Sequence, residues 1–209
     1  TGNEAPTEGT ITLSIKKADA IINVSDISKK YDGKVVSKPD IEKNSVGEAT
    51  VEYFVKGSDK PLETAPKDAG TYTMKVTVVE DETHAETSVT KDFTIGKKVL
   101  NAILSASKTY DGKTDTNLEA VVATEVDNEE LDITGLTGNF ADKNVGTEKA
   151  ITVDSSKALV NGVGDTNSNN YEVIFPSNAS GSIITKKIDI DWTNTEFTYN
   201  KEKQVPTAT

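Results

Sequence analysis

Apolar and polar residues alternate along much of this chain with a period of two. Tyr72, Met74, Val76 and Val78 form one stripe, opposed by Thr71, Thr73, Lys75 and Thr77. Val89, Phe93 and Ile95 form a second stripe, broken by Lys91. Ile11, Leu13 and Ile15 alternate with Thr12 and Ser14; Tyr171, Val173 and Phe175 alternate with Glu172 and Ile174; Ile188, Ile190 and Trp192 alternate with Asp189 and Asp191. This spacing predicts half-buried strands with one wet face. No long stretch has helical spacing, and the Thr, Val and Ile content favours strand. The chain reads as all-β. A β-grasp-like fold is the alternative architecture, but it requires a helix across the sheet, and no segment has that pattern.

Turn signals separate the runs: Asp32-Gly33, Lys38-Pro39-Asp40, Lys56-Gly57-Ser58-Asp59, Asp111-Gly112 and Asn161-Gly162. The segment 161–170 is rich in Asn, Gly and Ser and is expected to be a mobile loop.

The chain also repeats itself. Lys29-Lys30-Tyr31-Asp32-Gly33-Lys34 returns as Lys108-Thr109-Tyr110-Asp111-Gly112-Lys113, and a weaker copy begins at Thr198-Tyr199-Asn200-Lys201. Each copy follows a segment carrying a lysine pair: Ile15-Lys16-Lys17, Ile95-Gly96-Lys97-Lys98 and Ile184-Thr185-Lys186-Lys187. The period is that of a small all-β domain rather than of a short solenoid unit. The expected organisation is a leader strand or end of a preceding repeat (1–17), two β-sandwich repeats (18–97 and 98–186) and the start of a third (187–209). No Pro/Gly/Ser linker lies near Lys97 or Lys187, so the repeats are expected to be closely coupled and elongated, as a segment of a longer array.

Composition narrows the function. The 209 residues carry no cysteine, which removes disulfides, thiolate metal sites and thiol catalysis. Repeats of about 80–90 residues are near the lower size limit for a self-sufficient core. The net charge is −11, and every basic residue is lysine. That balance argues against nucleic acid and against an anionic membrane surface. No apolar run approaches the roughly 20 residues of a membrane span.

Asp68-Ala69-Gly70-Thr71-Tyr72-Thr73-Met74 resembles the Asp-x-Gly-x-Tyr-x-Cys signature of strand F in immunoglobulin domains, with Met74 in the cysteine place. Asn169-Asn170-Tyr171-Glu172-Val173 is a looser match in the second repeat. Taken whole, the chain resembles the Tyr-Asp-Gly (YDG) and MBG-type repeats of bacterial surface proteins. The second repeat is the closer to the YDG type, through Tyr110-Asp111-Gly112, the stretch from Gly135 to Thr147, Asn170-Tyr171 and Ile184-Thr185-Lys186-Lys187. The first has the Ala-Gly-Thr-Tyr second half of the MBG relatives. The resemblance implies tandem immunoglobulin-like sandwiches at the bacterial cell surface, often adhesin-like, and brings no catalytic residue.

Candidate sites are few. Tyr31, Asp32 and Gly33, with Tyr110, Asp111 and Gly112, read as structural: a tyrosine anchoring a strand end and an Asp-Gly turn needing positive φ. Asp68, Gly70 and Tyr72 form the expected tyrosine corner. His84, the one histidine, lies in Glu80-Asp81-Glu82-Thr83-His84-Ala85-Glu86 and is expected in an exposed hairpin loop. The acidic runs at 80–82 and 127–132 read as solvated charge rather than calcium ligands. Phe140, Tyr171, Phe175 and Trp192 read as core rather than sugar-stacking platforms. A Lys–Asn isopeptide bond is permitted by composition, without a motif for it. The expected role is non-catalytic, without cofactor: a stalk or spacer whose partners are neighbouring repeats. The alternative is a module recognising a host glycan or protein, with the loop 161–170 as its best candidate.

Overall fold

The computed structural model describes residue 9 and residues 14–208. Among them no α-helix occurs; one 3-10 turn, Ser168–Asn170, is the single helical element. The fold is an all-β sandwich, and the β-grasp alternative falls with the missing helix. The chain divides into two compact units. Unit 1 comprises Thr1–Val99, Val126–Asn128 and Asn167–Glu172; unit 2 comprises Leu100–Glu125, Glu129–Thr166 and Val173–Thr209.

The first strands are β1 (Ala18–Asp19), β2 (Ile22–Val24), β3 (Lys29–Lys30), β4 (Ile41–Lys43), β5 (Ala49–Val55), β6 (Gly70–Val78), β7 (His84–Ala85) and β8 (Thr87–Gly96). They build a four-stranded sheet in the order β3-β8-β6-β5 and the pairs β2-β4 and β1-β7. The predicted Tyr72 to Val78 stripe lies on β6 and faces the core, with Met74 fully buried. The Thr and Lys residues between them stay on the wetter face, as period two requires. Tyr53 meets Phe93 edge-on at 6.0 Å and Tyr72 stacks on Phe93 at 5.5 Å, so three aromatic rings fill one end of this core. Lys91, which interrupts the β8 stripe, faces inward and donates its ammonium to the Val24 carbonyl at 2.7 Å. A charge is tolerated there because the backbone supplies its acceptor.

The next strands are β9 (Lys98–Asn101), β10 (Ile103–Thr109), β11 (Asp115–Asn117), β12 (Glu119–Val121), β13 (Glu130–Thr134), β14 (Thr137–Phe140), β15 (Gly146–Asp154), β16 (Leu159–Val163), β17 (Tyr171–Ile174) and β18 (Asn178–Ile184). Unit 2 carries a six-stranded sheet, β11-β14-β15-β18-β10-β12, and the antiparallel pair β13-β16; β9 pairs β17. β10 serves two partners. Its first half pairs antiparallel with β12 (Ile103↔Val121) and its second half parallel with β18 (Lys108↔Ile183). Only Leu118 separates β11 from β12 at the two ends of the sheet order, so the sheet must curl. Leu118 turns inward and packs with Leu104, Leu136, Phe140, Ile151 and Ile183. In unit 1 the place of β10 is taken by two shorter strands, β2 and β3, which divide the same two pairings between β4 and β8.

Three expectations need correction. Asn161-Gly162 is not a turn, and 161–170 is not a free loop: β16 pairs through Asn161↔Asp132 and Gly162↔Leu131. A Cβ at Gly162 would collide with the Thr166 carbonyl oxygen, so glycine serves close backbone approach here. The run Ile188 to Trp192 is not a half-buried strand. Ile188 is 78% and Trp192 58% exposed, and only Trp192–Thr193 (β19) pairs, with Thr207–Ala208 (β20). Trp192 is thus not core. The alternation is present there, but no second layer covers it. The run Ile11 to Ile15 lies outside the described residues at 11–13, and Ile15 is exposed.

Met74→Ala should cost about 2–5 kcal/mol, the range for emptying a fully buried large side chain. Ile188→Ala should stay within about 0.5 kcal/mol. Urea unfolding of both variants checks the two assignments together.

Candidate functional site

The repeated Tyr-Asp-Gly segment builds the same turn in both units. β3 pairs parallel with β8 through Lys29↔Ile95 and Lys30↔Gly96, and the Tyr31 N–H donates to the Gly96 carbonyl at 2.8 Å. β10 pairs with β18 through Lys108↔Ile183 and Thr109↔Ile184, and the Tyr110 N–H donates to the Ile184 carbonyl at 2.9 Å. The chain then reverses with Gly33 at φ 75° and Gly112 at φ 79°, the left-handed region that glycine enters without steric cost. The aspartate folds back on the turn: Asp32 accepts the Lys34 N–H and Asp111 accepts the Lys113 N–H, each at 3.0 Å.

A lysine three residues before each aspartate completes the clip. Lys29 donates to the Asp32 carboxylate and to the Lys34 carbonyl (2.8 Å). Lys108 sits 2.8 Å from Asp111 and donates to the Asp115 carbonyl at 2.7 Å. Sequence reasoning passed over these lysines, although their recurrence at one offset in both copies was the available signal. The ammonium hydrogen bonds hold the Asp32 and Asp111 carboxyls below the usual range.

Behind the first turn lies a buried polar-aromatic cluster of unit 1. The Tyr72 hydroxyl donates to the Asp68 carbonyl at 2.9 Å, so the tyrosine corner is present. Burial, then the Asp68 charge, pushes the Tyr72 phenol up and keeps it a donor. Tyr31, 2% exposed, meets Tyr171 edge-to-face at 5.5 Å. Asn170, 1% exposed, accepts the Ala69 N–H at 2.7 Å and donates to the Asp68 carboxylate at 2.9 Å. Its own N–H donates to the Asn167 carbonyl at 3.0 Å and closes the 3-10 turn. The expected ligand loop therefore ends as a constituent of unit 1. Asn169 to Val173 is also not the counterpart of the tyrosine corner.

That counterpart is β15. Gly146 pairs with Ile183 as Gly70 pairs with Ile95. A bulge with Glu148 at φ 51° then shifts the register, so Lys149 lies opposite Gly181 where Tyr72 lies opposite Phe93. Lys149 donates to Asp142 at 2.7 Å, and an ion pair replaces the tyrosine hydroxyl bond. The Lys149 ammonium is the main cause holding the Asp142 carboxyl low.

His84 is not in an exposed loop. It opens β7, its side chain is mostly covered, and Nδ1 faces both Thr83 Oγ1 (2.8 Å) and Asp81 (3.3 Å). A nucleophile-base-acid relay needs the two ring nitrogens for different partners, and this geometry does not provide that. Asp81 also accepts the Ser45 hydroxyl at 2.7 Å and the N–H groups of Val46, Thr83 and His84. These bonds, Ser45 foremost, push its carboxyl far below the usual range. Asp81 thus joins the loop after Ser45 to the turn before β7. Its neighbour Glu80 pairs with Lys17 at 3.0 Å. No group of three or more His, Asp or Glu positioned for a metal occurs among the described residues. Phe140 and Tyr171 are buried, and Phe175 packs partly buried against the unit 2 core. A polar cleft of about 510 Å³ lies beside the second turn, lined by Lys108, Asp111, Asp115, Asn117, Glu119 and Asn139.

Residues 96–180 match the family model of the YDG domain. No curated protein matches the chain. Solved structures similar to it include two of a cadherin. The Drosophila N-cadherin EC1-4 structure is 10% identical with a TM-score of 0.33, covering 82% of this chain and 50% of that one. The EC1-3 structure is 11% identical with a TM-score of 0.22, covering 82% and 69%. The chain spans half the length of the first, and at these scores the likeness carries no functional argument.

A carboxyl more acidic in the folded than in the unfolded chain binds fewer protons when folded, so acid favours unfolding. The stability from Asp32, Asp81, Asp111 and Asp142 is fully present above the unfolded value, about 4, and drains as pH falls through the folded values. Tm should be level from pH 7 to about 5 and drop below about 4. Asp81→Asn should lower Tm at pH 7 and flatten the acid limb. Gly33→Ala and Gly112→Ala should each cost about 1–2 kcal/mol, the penalty of a left-handed non-glycine residue. Thermal scans across pH and urea unfolding check these outcomes.

Proposed function

We propose that the chain is a non-catalytic, extracellular repeat region of a bacterial surface protein, working as a stalk or spacer. The observation that carries this reading is the duplicated turn: Lys29/Asp32/Gly33 and Lys108/Asp111/Gly112 spend their polar groups on closing each unit. A motif kept twice for closure serves architecture, and the resemblance to bacterial surface repeats supplies the location. The −11 charge suits an exposed, soluble surface.

A second reading, recognition of a host glycan, now attaches to a different place. The polar cleft of unit 2, with its Asp, Asn and Lys lining, supports it rather than the segment 161–170.

Small-angle scattering should give a radius of gyration well above about 17 Å, the value for a compact 209-residue particle. A value near 17 Å would remove the stalk. Antibody to the chain should label intact producing cells; label confined to lysed cells would remove the surface location. A glycan and matrix-protein array with no hit would remove the second reading and leave the first standing.

A further inference from the structure

The two units carry the same edge, but its surroundings differ. In unit 1, Tyr31 and the Asp68-Ala69-Gly70 corner lie beside the end of the closing strand, because Tyr31 bonds Gly96 and Gly70 pairs with Ile95. In unit 2, Tyr110 bonds Ile184 and Gly146 pairs with Ile183, so Tyr110 and Asn144-Val145-Gly146 hold the same places. The edge of unit 1 is covered by Asn167–Glu172, through Asn170 on Ala69 and Asp68 and Tyr171 on Tyr31. The edge of unit 2 is open. Tyr110 is 37% and Val145 48% exposed; the Val145 N–H donates no hydrogen bond, and no aromatic ring meets Tyr110, among the described residues.

We propose that the Tyr110–Val145 edge is a docking site for an Asn-Tyr segment like Asn170-Tyr171, carried by a further repeat that follows on the same polypeptide. The occupant is specified by the filled copy of the site. A side-chain amide supplies both an acceptor for the unbonded Val145 N–H and a donor for Asn144 Oδ1, matching its use on Ala69 and Asp68. An aromatic ring covers the exposed face of Tyr110 edge-on, as Tyr171 covers Tyr31. The segment must leave a 3-10 turn directly into a strand, as Ser168–Asn170 leads into Tyr171–Ile174, so that amide and ring reach adjacent targets. Sequence places the covering segment of unit 1 within the second repeat, which gives the rule for an array: each repeat covers the Tyr-Asp-Gly edge of the one before it. This goes beyond the stalk reading and does not depend on where the protein resides.

The test lengthens the chain by one repeat, joining a second copy of residues 98–209 after Lys186 so that the Lys-Lys junction stays in phase. Lys143→Arg in the added copy marks its peptides by mass, since the chain has no arginine. Hydrogen exchange should show at least ten-fold slower exchange at Val145 of the original copy than in the 209-residue chain, with Val145 of the added copy unchanged. Asn170→Ala in the added copy should abolish that gain. Asn144→Asp with Val145→Ala in the original copy, restoring the Asp-Ala-Gly corner, should keep it. Ala69 is the internal reference, protected in every chain that retains the original Asn170. Equal exchange at the original Val145 in both chains, with Ile151 of the added copy protected and that copy therefore folded, would overturn the proposal. So would protection that survives Asn170→Ala, or protection in the 209-residue chain that grows with protein concentration, which would make a second chain the occupant.

Discussion

Each unit depends on one non-local pairing, the parallel alignment of its opening strand with its closing strand. Lys29 pairs with Ile95 and Lys108 with Ile183, residues far apart in the chain. With no cysteine available, no disulfide performs this closure. Backbone hydrogen bonds perform it, and the loop entropy they must overcome is large. The Lys-Asp-Gly clip sits immediately after the pairing in both units. It reverses the chain where the ladder ends and so fixes the register at its last rung. A one-residue slip there would turn the inward side chains of the opening strand, such as Ala106 of β10, out of the core.

Beyond that shared closure, the two units secure the neighbouring corner by different chemistry. Unit 1 uses a buried phenol, with Tyr72 stacked on Phe93 and its hydroxyl on the Asp68 carbonyl. Unit 2 has Gly181 opposite the equivalent position and so no ring on which to stack. A bulge inserts a residue, and Lys149 reaches Asp142 instead. The first solution draws on apolar burial and the second on charge, so the second is the more sensitive to acid and salt. The same substitution of polar for apolar contact recurs at Asp81, whose carboxylate gathers N–H and hydroxyl donors from two loops. These aspartates make part of the negative charge structural rather than merely solvating.

Much of the fold was legible in the sequence. The Tyr72 to Val78 stripe faces the core, the Asp-Gly pairs are positive-φ turns, and the tyrosine corner closes on Asp68. These features are local: side-chain alternation follows from the pleat, and glycine follows from φ. The misses share a different cause. His84 and Asp81 sit in a run that reads as an acidic loop, yet Ser45 and Val46 arrive from a distant segment to hydrogen-bond the Asp81 carboxylate. Ile188, Ile190 and Trp192 alternate as well as any true strand, yet no layer lies over them. Asn170 reads as loop polarity, yet it is among the most buried residues described.

Sequence alone determined the all-β class, the duplicated turn and the inward face of the main strands, because period two and backbone conformation are properties of neighbouring residues. Only the tertiary structure decided which polar residues became partners. Asn170 on Asp68 and Ala69, Lys149 on Asp142 and Lys91 on the Val24 carbonyl join residues far apart in sequence or across a register shift. A polar side chain is stable inside only when a complementary group arrives to satisfy it, and that arrival is set by strand order and register, which no local pattern encodes.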